Sequence, residues 1–151
     1  MAVSLNDLTR MTQAELDDLF RRSRMGDIPD GNALGTAIVA PGTELERPIL
    51  WFTRWLAWQG KVFDRARGEL VNKVGPLGTH LIKARVYIAP SWFDQQPAII
   101  LDYSRTSLVA RKVRDEIREV GPHTYLGIVF YDTVKTINFV LQFRNPDALR
   151  A

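Results

Sequence analysis

The sequence predicts a mainly β protein: an antiparallel meander closing into a β-barrel, with an N-terminal helix and a Trp-rich helix set against it. Three observations carry this. From Lys61 onward, runs rich in Val, Ile, Phe and Tyr recur at spacings of about ten residues, as hairpin-linked strands do. Gly, Pro, Asp and Asn punctuate the gaps between them. Ahead of them, apolar residues fall at the three-and-four spacing of an amphipathic helix.

The first helix is marked by Thr12 and Glu15, which form a T-x-x-E capping box, and by the apolar stripe of Leu16, Leu19 and Phe20. Gly26 is placed to end it in a left-handed conformation. "GDIPDGNALG" reads as turn and loop, and "TAIVA" as a short strand closed by Pro41-Gly42. Pro48 suits a first helical turn. Trp51, Trp55 and Trp58 then fall at i, i+4 and i+7, so a helix over 48–59 puts three indoles on one face.

Strands follow in "KVFD", "ELVNKV", "LIKARVYIA", "AIILDYS", "TYLGIVFY" and "TINFVLQF". "DRARG" and "GPLGTH" are turns, and "PSWFDQQP" is a longer loop. In "TSLVARKVRDEIREVGP" both a helical and an alternating pattern can be traced. The favoured reading is a short helical turn over Ser107–Arg111 followed by a strand, which turns through "GPHT" into "YLGIVFY".

A chain of 151 residues fits a single domain, 1–151, with a helix and loop over 1–30 and the barrel over 31–151. A domain of this length buries roughly two-thirds of its unfolded surface, enough for a core without staples. There is no cysteine, which excludes disulfides, thiolate nucleophiles and Cys-based zinc sites. His80 and His123 fall in different turns and suggest no metal site. Dinucleotide, Walker and nucleophile-elbow patterns are absent, so no cofactor is implied.

The net charge of +3 is spread along the chain and mostly set beside acids, as in "VARKVRDEIREV", which argues against a nucleic-acid partner. A weak peripheral contact with anionic membrane surfaces stays open. With neither a signal-like N-terminus nor an apolar run long enough to span a bilayer, the expectation is a soluble, cytoplasmic protein, monomeric or homodimeric.

"WQGKVFD", "YIAPSWFDQQPAIILDYSRTS" and "RDEIREVGPHTYLG" together resemble a group of small uncharacterised bacterial proteins of lipocalin-like, calycin-type barrel fold. The resemblance runs from "IPDGNALGTAIVAPGT" onward and implies an apolar cavity that holds a hydrophobic small molecule. True lipocalins carry an export signal and disulfides, which this chain lacks.

The candidate site follows from that expectation. Trp58, Phe63, Tyr87, Trp92, Tyr103 and Tyr125 would supply apolar contact, and Asn72, Arg85, Asp102, Arg114, Glu116 and Arg118 the polar end of a fatty acid, isoprenoid or polyketide-like ligand. Asp102 stands out because a carboxylate after three apolar residues must be paired or have its pKa raised. Arg114, Glu116 and Arg118 share one face of their strand. That face is either a solvated charge ladder or an inward polar patch pairing with Asp102. The alternative to a carrier is a cofactor-independent isomerase, cyclase or dehydratase, with Asp102 or Glu116 as general base and Tyr87, or else Tyr103 or Tyr125, as donor. A barrel filled by its own side chains and used as an interaction module is a third reading.

Overall fold

The computed structural model describes residues 3–38, 60–74, 80–108 and 110–144. Within these, eight antiparallel strands close into a barrel in chain order: β1 Gly31–Ile38, β2 Gly60–Asp64, β3 Glu69–Val74, β4 His80–Pro90, β5 Pro97–Asp102, β6 Val113–Gly121, β7 Thr124–Tyr131 and β8 Val134–Phe143. A seam between β1 and β8 completes closure, from Ala33 opposite Phe143 to Ile38 opposite Asn138. Every described strand thus has a paired neighbour on each side. The predicted helix over 48–59, with Trp51, Trp55 and Trp58, lies outside the described residues.

Two helices precede the barrel. α2 (Gln13–Arg22) starts where the capping box predicts: the Thr12 side chain accepts from the Glu15 N–H, and the Glu15 carboxylate reaches back to Thr12. Its end differs from the expectation, because the cap is Ser23 in extended backbone. Gly26 does take a positive φ of 75°, but in the loop beyond the helix. α1 (Leu5–Arg10) was not expected; Ser4 and Asp7 build its capping box with aspartate in the usual glutamate position.

β1 begins inside the segment read as loop. Pairing of Gly31 with Phe63 and of Ala33 with Phe143 draws this glycine-rich stretch into the sheet, so tertiary context overrides its weak β-propensity. In the ambiguous segment the strand reading holds, since β6 starts at Val113. Ahead of it the backbone makes separate turns rather than a helical turn over Ser107–Arg111. Thr106 and Ser107 both donate to the Tyr103 carbonyl, and Val113 donates to that of Ala110.

The barrel has apolar residues on both sides of its β6–β8 wall. Inside lie Phe63, Leu70, Val86, Leu101, Ile117, Phe139 and others. Outside, Leu126, Ile128, Phe130 and Val140 are covered by Leu8, Leu16, Leu19 and Phe20 of the helices. This is why "YLGIVFY" reads as a continuous apolar run rather than an alternating one. Burying one such large side chain contributes about 1.5–3 kcal/mol, so this helical cover is a substantial part of the fold's stability.

Candidate binding site in the barrel lumen

Strand alternation decides which side chains meet inside. Phe63 belongs to the core, so Lys61, two residues earlier on β2, points the same way; likewise Asn72 follows Leu70, Asp115 lies between Val113 and Ile117, and Tyr103 continues the row of Ile99 and Leu101. The lumen therefore holds a cluster of Lys61, Asn72, Tyr103 and Asp115, none more than 1% exposed, within apolar walls.

Lys61 Nζ donates to Asn72 Oδ1 at 2.5 Å and to Tyr103 Oη at 3.1 Å. Asn72 Nδ2 donates to Tyr103 Oη at 2.6 Å and to the Ile82 carbonyl at 3.4 Å. Asp115 Oδ2 stands 3.9 Å from Lys61 Nζ. The rings of Tyr103 and Phe139 each lie 5.8 Å from the same nitrogen. Phe139 can cross the lumen here because its β7 partner is Gly127, where a Cβ would overlap the ring.

Two hydrogen-bonding valences are left over. Asp115 Oδ1 is buried without a hydrogen-bond partner among the described residues. Tyr103 Oη accepts from both Lys61 and Asn72, leaving its own proton without an acceptor among the described residues. A buried carboxylate oxygen without a partner is costly, and this one is able to accept from a donor brought into the lumen.

Burial also moves the protonation equilibria. It pulls Lys61 down to about 8 against the opposing charge of Asp115. It pushes Asp115 up to about 6, with Lys61 acting against the rise and Glu116 adding to it. Burial, then the Asp115 charge, carries Tyr103 well above the ordinary phenol value. An amine and a carboxyl group that both titrate near neutrality thus face each other across the lumen.

One end of the lumen is closed by aromatic rings. Phe143 packs edge-on against Phe63 at 5.4 Å and against Tyr125 at 5.6 Å. Beyond them the barrel end carries a depression of about 610 Å³ with a mixed-charge rim that includes Asp27, Asp30, Arg65, Glu119, His123 and Arg144. Tyr125 donates to the Asp27 carbonyl at 2.6 Å, and burial with Glu119 beside it raises its pKa. The Lys61 cluster lies toward the other end, where β1 stops and β2 starts.

Of the residues expected in the site, Phe63, Asn72, Tyr103 and Tyr125 do line the lumen. Trp58 lies outside the described residues. The others sit on the outer surface of the barrel. Arg85 and Tyr87 are on the exposed face of β4, because Ile82, Ala84 and Val86 take the inner one. Trp92 is 46% exposed in the β4–β5 loop, stacked under the Arg114 guanidinium at 4.2 Å. Asp102 accepts from the Tyr87 hydroxyl at 2.8 Å and the Ser104 N–H at 2.9 Å. Burial raises its pKa, but the bonds from Ser104 and Tyr87 outweigh burial and leave it below the usual value. It is a paired outer carboxylate, not a proton acceptor within the lumen.

Arg114, Glu116 and Arg118 also face outward, but they are neither a solvated ladder nor an inward patch. Glu116 and Arg118 are buried beneath the β4–β5 loop and α2. All five Arg118 donors are used: both oxygens of Asp94 at 2.7 Å, and the carbonyls of Phe20, Gln96 and Pro97. Glu116 accepts from Ser91 Oγ, the Trp92 N–H and Arg114. This is a structural joint tying helix and loop to β6. The inward carboxylates of β6 are Asp115 and Glu119, the pair on the other face.

Lys61 and Asp115 were missed from sequence, although strand parity could have found them. Each shares a strand face with apolar residues, Phe63 in one case and Val113 and Ile117 in the other. Among the described residues no group of three or more His, Asp or Glu side chains is arranged to hold a metal ion, and no helix is long and apolar enough to cross a membrane.

Comparison with protein-family models, curated proteins and solved structures finds no match for this chain. The class of protein is set by its fold, a closed eight-stranded antiparallel barrel with a polar cluster buried in its lumen.

Proposed function

We propose that the barrel binds one hydrophobic or amphiphilic small molecule, with its apolar body against the lumen walls and its polar end at Lys61, Asn72, Tyr103 and Asp115. The reading accords with the expected resemblance to small uncharacterised proteins of lipocalin-like, calycin-type barrel fold, and its ligand class is a fatty acid, isoprenoid or polyketide-like compound. The observation that carries the reading is the buried Asp115 Oδ1, which has no hydrogen-bond partner among the described residues, in a polar cluster enclosed by apolar lumen walls. Eight-stranded barrels are just wide enough to hold one small ligand. A polar group of the ligand would complete the hydrogen bonding that the protein leaves open.

The test is displacement of N-phenyl-1-naphthylamine, a dye that fluoresces in apolar cavities, by decanol. Saturable displacement is expected, weakened at least tenfold by Asp115→Leu, which removes the open acceptor. Dye fluorescence that never exceeds the buffer blank would overturn the proposal in favour of a filled barrel.

The second reading is a cofactor-independent enzyme, and the facing Lys61 and Asp115 favour it. Its general base would be Asp115 and its donor Tyr103, in place of Asp102, Glu116 and Tyr87. A bell-shaped pH–rate profile would mark it.

A further inference from the structure

We infer that the Lys61 amine forms an imine with the carbonyl group of an apolar aldehyde or ketone, so that the lumen holds its ligand covalently and reversibly. This inference rests on the binding proposed above and names its ligand class. The geometry supplies each part that imine chemistry needs. The nucleophile is a primary amine that is 0% exposed, positioned by Asn72 at 2.5 Å. A phenol hydroxyl stands 3.1 Å from it and Asp115 Oδ2 3.9 Å away, the other Asp115 oxygen having no hydrogen-bond partner among the described residues.

Within that ligand class a fatty-acid head fits less well than a neutral carbonyl. Its carboxylate would set a second anion beside Asp115, against which Lys61 is already paired. A neutral carbonyl brings no charge, and its oxygen can accept the Tyr103 proton, which has no acceptor among the described residues.

The step balances within the cluster. A proton passes from the Lys61 ammonium to Asp115, leaving a neutral amine and a carboxylic acid. The nitrogen lone pair attacks the carbonyl carbon, a C–N bond forms, the C=O π bond breaks, and the oxygen takes up the proton lost by nitrogen to give a carbinolamine. The carbinolamine hydroxyl then accepts the Asp115 proton and leaves as water while nitrogen forms the C=N bond. The products are one water and a protonated imine whose counter-ion is the Asp115 carboxylate. No oxidant, reductant or co-reactant is consumed.

Burial favours this route, because an amine titrating near 8 is unprotonated in roughly a tenth of molecules at pH 7, about a hundredfold or more above an ordinary lysine. Buried lysines with lowered pKa are the ones that serve in Schiff-base chemistry.

The experiment is reductive trapping. The full chain is incubated at pH 7 with decanal and sodium cyanoborohydride, then analysed by intact mass and peptide mapping, with decanol binding measured in parallel. The expected result is a single decyl addition that maps to Lys61, forms roughly a hundredfold faster than modification of surface lysines, and is lost in Lys61→Arg. Asp115→Asn should slow trapping at least tenfold while decanol still binds. The mapping on the unaltered chain needs no variant, so it decides the question even if Lys61→Arg fails to fold. Decanol binding without modification at Lys61 would overturn the imine and leave the carrier reading standing. Failure of both decanol and decanal to bind would overturn both.

Discussion

On the outer face of β6, Arg118 meets acceptors with all five of its N–H groups and Glu116 takes bonds from three neighbours; on the inner face of the same strand, Asp115 lies 3.9 Å from Lys61, with one oxygen lacking a partner among the described residues. Both clusters are buried, and both set carboxylates against cations. The difference is saturation. The outer cluster has no valence to offer a ligand and holds together parts that are remote in sequence, β6, the β4–β5 loop and α2. The inner one keeps two valences open among the described residues and has two groups titrating near neutral pH. Burial of charge by itself does not point to a functional site; burial of charge with unsatisfied bonding is what makes the inner cluster the candidate.

The comparison breaks most visibly at Arg118. Arg118→Ala should lower unfolding free energy by about 3–5 kcal/mol, because it strands Asp94 and three backbone carbonyls; urea denaturation measures this. A loss below about 1 kcal/mol would show that the outer cluster is no structural joint. The inner pair should respond in the opposite direction. The double variant Lys61→Met with Asp115→Leu is expected to keep or gain stability, by up to about 4 kcal/mol at pH 7, while losing ligand.

The pH dependence of that inner pair sharpens the contrast. Folded Asp115 keeps its proton to about pH 6, against 3.8 for the free side chain, so the native state binds that proton more tightly and stability falls as pH rises through this interval. Lys61 releases its proton at about 8 when folded and at 10.5 when free, so between these values the unfolded chain holds more protons and stability returns as pH rises. Subtracting the double variant's profile from that of the unaltered protein should leave a trough between about pH 6 and 8. A flat difference would mean that the two groups are not buried together.

Smaller effects test the outer surface. Ser91→Ala removes the hydroxyl that Glu116 accepts from at 2.5 Å and should cost about 1–2 kcal/mol by thermal unfolding. Tyr87→Phe breaks an exposed bond to Asp102 and should cost under about 0.5 kcal/mol, with no change in decanol binding if Tyr87 lies outside the lumen.

Much of the fold was legible. The Thr12–Glu15 box fixed the start of α2, and the recurring β-runs placed β2 to β8 within a few residues, because capping and strand patterning are local signals. β1 was less legible, since Gly31 and Asn32 become strand only by pairing with β2 and β8. The site was half legible. Asn72, Phe63, Tyr103 and Tyr125 were placed from residue type and expected burial. Asp102 and the outward set on β6 were misplaced because alternation splits a strand into two faces without saying which is inner. On "RDEIRE" the answer comes from Val113 and Ile117, which share a face with Asp115 and need the lumen more than any charged neighbour does.

The seam between β1 and β8 bears on how the protein assembles. In a meander every other strand pair joins neighbours in the chain, but Ala33 must find Phe143 across most of the sequence. Loop-closure entropy therefore concentrates in one late pairing, and topologies rich in such distant contacts fold slowly. A circular permutant that links the two chain ends and reopens the chain at the Asp132-Thr133 turn would shorten the sequence separation across the seam. The slowest pairing would then move to β7 and β8, so the order in which the lumen closes is set by where the chain is cut, not by the contacts it finally makes.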